Sequence, residues 1–542
     1  MTPDVPRGDE PSVAYARNTA VMTAGTILSR ATGLVRVAVL GYALGVTAIS
    51  AAYTTANTAP NILYELVLGG ILTSVFVPVF VQWRRDHGRD EAWQVADRVF
   101  TVGALLLTAL ALVGVVLAPQ IARFYEIDDP EQLALATYLL RWFMPQVVFY
   151  GIGAITGGFL NAEGRFAAPM FAPALNNLVV IVTVLTYAWI AGGTPETIAD
   201  ISDGQRALLG AGTTLGVVAM TLALWPSLRG AGYRWHARLD PRHPAVMRLL
   251  RLSGWILVYV GANQVAYAII VRTTNRLDDA SGAITAYNFA FLIFSLPHAV
   301  FAVSIITALL PSMADRWSPE EPSRLVALFS RGVRDTSVVM IPAAFGFAAL
   351  SVPIARLLLE RGLLRGDDAV LIGDVLLAFA IGLPFFSVFQ LLTRTFYAMQ
   401  DSRTPALTNV VAAAVQVTAA LTFAFVFDLG VQGMALGHAT SYLVGTAILL
   451  VLLRHRTGTL DGRRIVGTLA RVVPAAAATA AAAYLVADTL GAAEAAPSAA
   501  AQVVQVGAAV VVGMLVFVGL ASIVGVREVR DIADALRRRF RG

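Results

Sequence analysis

Apolar residues run along this chain in long blocks, without the stripes of a soluble helix or the alternation of a strand. The blocks fall near 20–44, 50–82, 99–122, 134–160, 168–192, 207–228, 247–271, 283–312, 336–358, 369–398, 405–427, 431–453, 465–487 and 500–525. A hydrocarbon core about 30 Å thick takes a helix of about 20 apolar residues. Each block therefore predicts one membrane-crossing helix, and the whole predicts an all-α polytopic membrane protein of about fourteen spans. A β-barrel is excluded, because its strands alternate over about ten residues.

Composition sharpens this picture. Of 542 residues, 57% are hydrophobic and 14% charged, against roughly 25% charged in soluble domains. There is no cysteine, which excludes disulfides, thiolate nucleophiles and cysteine-ligated metals. There is also no lysine, so all 40 basic residues are arginine. That excludes a Walker-type phosphate lysine and a Schiff base. No spacing of His, Asp and Glu suits a metal, and no cofactor motif or Ser-His-Asp set stands out, so an enzyme is not expected.

The arginines report orientation. Arg84, Arg85, Arg89 and Arg98 follow block 2, and Arg229, Arg234, Arg238, Arg242, Arg248 and Arg251 follow block 6. Arg316, Arg324, Arg331 and Arg334 follow block 8, and Arg454, Arg456, Arg463 and Arg464 follow block 12. The alternate connections are arginine-poor and often acidic, as at Glu126, Asp128 and Asp129. The positive-inside rule then predicts both termini in the cytoplasm. The net charge of +5 follows topology, so no nucleic-acid partner is expected.

Residues 1–18 are polar and proline-interrupted, without the apolar core of a signal peptide, and are expected to form a disordered cytoplasmic start. The end, 526–542, mixes Arg530, Arg537, Arg538, Arg539 and Arg541 with Ile532, Leu536 and Phe540, the pattern of a basic amphipathic tail on an anionic leaflet. In between, Gly158 to Pro169 echoes Arg394 to Pro405, and Phe76-Val-Pro78 echoes Leu309-Leu310-Pro311, both offset by about 235 residues. The repeat predicts two six-helix lobes of the same orientation, 19–230 and 231–455, followed by two further helices over 456–525. Repeated lobes around a central site are the architecture of alternating-access transporters.

Charges within the spans mark the candidate site, since each costs about 2.5–3.5 kcal/mol at a helix centre. Arg30 and Arg36 lie in block 1, about 9 Å apart along a helix axis. Two guanidinium forks suit a phosphate or pyrophosphate. Gly33 between them is a candidate hinge, as are Pro60 in block 2 and Pro297 in block 8. Pro60-Asn61 is expected to break its helix locally, and Glu65 is expected to pair with Arg30 or Arg36. His298 is expected to be a hydrogen-bonded packing residue, and Arg394 a snorkelling anchor.

The stretch Leu28-Ser29-Arg30 to Arg36, with Pro60-Asn61 and Phe76-Val-Pro78-Val79, resembles the start of the MurJ (MviN) family of lipid II flippases. Gly158 to Pro169, Leu309-Leu310-Pro311-Ser312 and Phe396 to Pro405 extend the resemblance over residues 28–405. It implies the multidrug/oligosaccharidyl-lipid/polysaccharide exporter fold and a multi-pass protein of the bacterial cytoplasmic membrane. It also implies transport of undecaprenyl-pyrophosphoryl disaccharide-pentapeptide, lipid II, to the outer leaflet during peptidoglycan synthesis. Arg30 and Arg36 match family cavity arginines; Asn61, Glu65 and Arg272 complete the implied substrate-binding set. The departures lie at Tyr64, Glu65 and Leu292, where family members place arginine, and at Val37 and Ala51, where they place acids. The chain thus resembles a divergent, actinobacterial-type branch. Implied partners are lipid II, membrane lipids, and cell-wall synthesis or division proteins. The competing readings are an exporter of another lipid-linked glycan, a drug–cation antiporter of the same fold, and a non-transporting scaffold for division proteins.

Overall fold

The computed structural model describes residues 10–66, 83, 86–191, 197–240, 242–277, 282–360, 363–364, 366–491, 498–526 and 528–529. Every regular element among them is helical. The chain divides into two compact units, Met1–Gln264 and Val265–Gly542. The first holds α1 (Glu10–Leu44), α2 (Ala48–Glu65), α3 (Arg89–Val116), the short α4 (Ala118–Phe124), α5 (Pro130–Phe143), α6 (Gln146–Ala162), α7 (Ala167–Ile190), α8 (Asp203–Leu222) and α9 (Trp225–Gly230). Helix α10 (Pro244–Thr274) runs into the second unit, whose boundary falls inside it. There follow α11 (Ala283–Pro297), α12 (Val303–Asp315), α13 (Ser323–Leu359), α14 (Gly366–Ala380), α15 (Leu383–Ala398), α16 (Arg403–Leu421), α17 (Gly430–Thr457), α18 (Gly462–Gly491) and α19 (Ala499–Ile523).

Local signals set several of these ends. Thr47 and Ser50 cap α2 reciprocally, and Ser202 and Gln205 do the same for α8. Asp129 accepts from the Glu131 amide just ahead of α5, with Pro130 at its first position. Helix α1 starts at Glu10-Pro11, so residues 10–18 are helical where the sequence predicts disorder. Proline within a first turn is compatible with the helix because its missing donor has no partner there anyway. Of the expected amphipathic tail, only Val526, Glu528 and Val529 fall within the described residues.

Eleven helical segments among the described residues are long and apolar enough to cross a membrane, and the pair α14–α15, bent by 48°, makes twelve. Helices α1 and α2 lie outside that count. In the first unit α1 packs on α7, and α2 on α5. In the second, α18 and α19 pack on α13 through Val472, Ala476 and Phe517 against Val338 and Ile341. There the buried Glu528 takes Arg334 as its ion partner and receives the Thr468 hydroxyl at 3.5 Å.

The repeat has a structural counterpart. Helix α6 ends at Ala162 and turns through Gly164 (φ 73°) into α7, while α15 ends at Ala398 and turns through Gln400 (φ 58°) into α16. The Arg165 amide donates to the Leu160 carbonyl at 2.7 Å, and 236 positions later the Asp401 amide donates to the Phe396 carbonyl at 2.9 Å. The side chains at these matched positions differ in sign. Arg165 donates to the Ser227 and Gly230 carbonyls of α9 at 3.2 and 2.6 Å. Asp401 accepts from Thr404 and from Arg456 at the end of α17. Burial alone raises the Asp401 carboxyl, but these bonds outweigh it and hold it below its ordinary 3.8.

A second clasp secures the segment after α9. Asp97 of α3, only 3% exposed, accepts the Tyr233 hydroxyl at 2.8 Å and the His236 amide at 3.1 Å. Arg238 stands 3.7 Å from the same carboxylate and donates its amide to Thr101 at 3.1 Å. Asp97→Ala leaves the buried Tyr233 hydroxyl and the part-buried His236 amide without their acceptor, a loss of about 1–3 kcal/mol. Thermal unfolding of the purified variant is expected to show that loss, whereas Glu321→Ala, a change in an exposed surface pair, is expected to stay within about 0.5 kcal/mol of the parent.

Candidate functional site

The site begins on α1 and α7, where the helices approach closely. A Cβ at Gly25 would stand 2.6 Å from the Cβ of Met170 and 3.2 Å from its carbonyl carbon. Two turns on, at Gly33, it would stand 3.6 Å from Asn177 Nδ2. This approach puts Asn177 against the α1 backbone, where its amide donates to the Ser29 carbonyl at 3.2 Å and to Thr32 Oγ1 at 3.1 Å. With the amide so engaged, the Asn177 carbonyl oxygen faces Arg36 and accepts from Nη1 at 3.3 Å.

Arg36 therefore uses one of its five N–H donors on the protein, and among the described residues it has no other partner. None of its nitrogens is a buried orphan. Two tyrosines, Tyr53 and Tyr150, lie within range of its charge. Tyr53 is buried and shares a 2.9 Å hydrogen bond with Thr213, and Tyr150 packs on Tyr64 with ring centroids 4.3 Å apart. The result is a half-buried cation held from one side by Asn177, whose other donors have no partner among the described residues. Such a group binds an oxyanion through charge-assisted, bidentate hydrogen bonds.

The sequence-predicted residues separate around this centre. Arg30, Gly33, Arg36, Pro60, Asn61 and Glu65 belong to the first unit, Arg272 and Pro297 to the second. Arg30 is exposed and without a partner among the described residues. Glu65 is exposed at the end of α2 and pairs with neither arginine. The Arg36 partner is the neutral Asn177, whose amide the α1 backbone has already oriented. Pro60 is buried inside α2, which continues through it to Glu65; one lost hydrogen bond does not break a helix supported by its neighbours. Asn61 is half-buried on the same helix, and Gly33 lies in unbroken helix. Arg272 is half-buried in the last turn of α10.

Pro297 closes α11, and His298–Ala302 winds as a wider π turn. His298 meets Ser387 at 2.9 Å and packs on Phe386, as expected of a packing residue. Arg394 lies over the Tyr397 ring at 5.4 Å. Asn177, Tyr53 and Tyr150 were not nominated from the sequence. The available signal was Asn176-Asn177 in the middle of an apolar block, since polar residues inside spans are costly.

The second unit carries an apolar groove of about 660 Å³ between α13, α15, α17 and α18, lined by Ile341, Phe345, Pro384, Leu450, Val466 and Val473. Among the described residues no group of three or more His, Asp and Glu is placed to hold a metal.

The profile of one protein family, Lipid II flippase MurJ, matches residues 40–494. This chain belongs to that family. Among similar MurJ proteins, a probable lipid II flippase of Rhizobium meliloti (strain 1021) is 30% identical over 488 residues, covering 88% of each chain. A lipid II flippase MurJ of Burkholderia cenocepacia is 26% identical over 438 residues, covering 80% of this chain and 82% of its own. A solved lipid II flippase MurJ in an inward closed conformation superposes with TM-score 0.75 at 19% identity, covering 93% of this chain and 98% of that one. An inward-facing MATE multidrug transporter of the MOP superfamily superposes with TM-score 0.62 at 14% identity, covering 81% and 95%. At such identities the two structures establish the shared fold alone. As a MurJ family member the chain is a membrane transporter and not an enzyme.

Proposed function

We propose that this chain moves lipid II, the polyprenyl-pyrophosphate-linked peptidoglycan precursor, from the inner to the outer leaflet of the bacterial cytoplasmic membrane. The observation that carries this reading is the MurJ family match over residues 40–494. The Arg36 centre is the local chemistry that supports it. In this reading Arg36, held by Asn177, binds the pyrophosphate with its unspent donors, and exposed Arg30 gives the approaching anion a second fork. In the first unit, Asn61 and Glu65 of α2 are the further headgroup residues of this reading; Arg272, of the second unit, is a separate candidate contact.

Transport proceeds by alternating access of two six-helix lobes, with bending at Pro297, Gly33 and Pro60. A net charge carried through 100 mV is worth about 2.3 kcal/mol, so the membrane potential is an adequate energy source. We count fourteen spans: the twelve apolar segments, α1, and the block over 50–82 that opens with α2. Arginine placement then puts both termini in the cytoplasm. The basic tail lies on the anionic inner leaflet, and cell-wall synthesis or division proteins are further partners in this reading.

The test is depletion of the protein in its host, scoring lipid II accessible at the outer face. Outer-face lipid II is expected to fall as the inner pool rises, and the wild-type chain is expected to reverse both. An unchanged outer pool in a host lacking any second flippase overturns the reading.

A further inference from the structure

Arginines are sparse at the end of the first unit away from its arginine-rich connections. The segments there, 45–47, 117–141 and 191–206, hold only Arg123, Arg141 and Arg206. All three line one cavity of about 450 Å³, each from a different helix: α4, α5 and α8. Among the described residues the single acid in its wall is Asp203, fully exposed and 3.7 Å from Arg206. Arg206 also reaches the Ile198 carbonyl at 3.5 Å. Arg123 and Arg141 have no hydrogen-bond or ion partner among the described residues. The described residues of the cavity wall therefore carry a formal charge of +2, on the side of a membrane protein where positive charge is depleted.

The repeat does not impose this arrangement. The position 236 residues after Arg141 is Leu377, and it lines a cavity of about 810 Å³ in the second unit that also holds Asp374, Asp428 and Arg276. The matched cavity of the second unit thus does not repeat the cationic lining. Depth narrows its ligand. The span Pro130–Asn161 is 32 residues long, about 12 more than a hydrocarbon core needs. With that excess shared between both ends, Arg141 lies about five residues, or 8 Å, inside the hydrocarbon edge. From there its guanidinium reaches the level of lipid phosphates by snorkelling.

We propose that Arg123, Arg141 and Arg206 form a binding site for a lipid-borne phosphate at the outer headgroup level. The inference rests on the orientation given under the proposed function. An anionic phospholipid and the polyprenyl pyrophosphate of the translocated cargo share the required chemistry: a phosphate oxyanion tethered to an acyl or prenyl chain.

The test uses the full-length purified chain in phosphatidylcholine nanodiscs. Thermal unfolding is followed while phosphatidylglycerol or undecaprenyl pyrophosphate is titrated in. The compared proteins are the parent, the triple variant Arg123→Gln/Arg141→Gln/Arg206→Gln, the single variants Arg141→Gln and Arg141→Lys, and Arg36→Gln. Stabilisation of the parent by phosphatidylglycerol, weakened at least tenfold in the triple variant, identifies a phospholipid site. The same pattern with undecaprenyl pyrophosphate alone, persisting in Arg36→Gln, identifies a site for the cargo diphosphate. Arg141→Lys is expected to retain more of the response than Arg141→Gln, which holds the comparison if the triple variant does not fold. An equal response of the parent and the Arg141→Gln and triple variants to both lipids overturns the proposal. Because none of these readouts is transport, failure here leaves the flippase reading intact, and failure of transport in cells leaves this site intact.

Discussion

Arg36→Ala is expected to reduce outer-face lipid II about 10- to 100-fold relative to the parent at equal expression. The estimate follows from removing one charge-assisted contact worth about 1.5–3 kcal/mol, at 1.4 kcal/mol per tenfold. Arg36→Lys is the informative companion. It keeps the charge but loses the planar fork, and its shorter reach does not preserve the hydrogen bond to Asn177. Recovery of less than a tenth of parental transport by Arg36→Lys is the expected result, because bidentate geometry carries the binding. Asn177→Leu leaves the Arg36 charge in place but removes what holds it, together with the ties to Ser29 and Thr32. It is expected to fall between the two. Full transport by Arg36→Ala would remove Arg36 from the pyrophosphate site. The assay is rescue of depleted cells, scored by outer-face lipid II and normalised to membrane-inserted protein.

The largest loss of stability is expected at Gly437→Leu. On α17, Gly433, Gly437, Ser441 and Gly445 recur every four residues and so share a face. A Cβ at Gly437 would stand 2.6 Å from Ala420 N and 2.7 Å from Ala420 Cα. At Gly433 it would stand 2.7 Å from the carbonyl carbon of Phe423 and 2.8 Å from Ala424 Cα. These neighbours are backbone of α16 and of the π turn Thr422–Val426 that follows it, so no side chain can swing aside. Small residues let membrane helices approach this closely. A leucine forces α16 and α17 apart and costs more than about 3 kcal/mol, above the usual range for overpacking. Gly519→Leu on α19 is the control, since a Cβ there meets nothing within 4 Å. Thermal unfolding of both purified variants checks the contrast. A Gly437→Leu protein as stable as Gly519→Leu would mean that the two helices are not held at this separation.

The two predictions sample different kinds of information. The glycine stripe is written in the sequence as Gly433-Met-Ala-Leu-Gly437, but only the packed helices show which neighbour it serves. The membrane class, the helical blocks and the repeat are legible for a simple reason: each rests on residues close in the chain, or on a pattern repeated along it. Hydropathy acts over about 20 residues, so a block announces itself locally. The repeated turn is also local, and its backbone bonds 236 residues apart fall where the echo of Gly158 to Pro169 in Arg394 to Pro405 predicts.

Partner choice is not local. Glu65 is the nearest acid in the next block and a natural ion partner on paper, yet Arg36 meets Asn177, 141 residues away. Helix packing brings that amide alongside, and the Ser29 carbonyl and Thr32 hydroxyl have already fixed which way it faces. Pro60 likewise reads as a break, while in the fold α2 passes through it. The binding of Tyr233, His236 and Arg238 to Asp97, and the convergence of Arg123, Arg141 and Arg206, also depend on contacts between separate helices. The sequence by itself therefore determined that this is an all-helical, multi-span membrane protein with Arg30 and Arg36 in its first apolar block. The tertiary structure decided which side chain holds Arg36 and which arginines share a cavity. The physical reason is that burial drives each helix into the membrane independently, whereas the pairing of polar groups depends on which helices pack together.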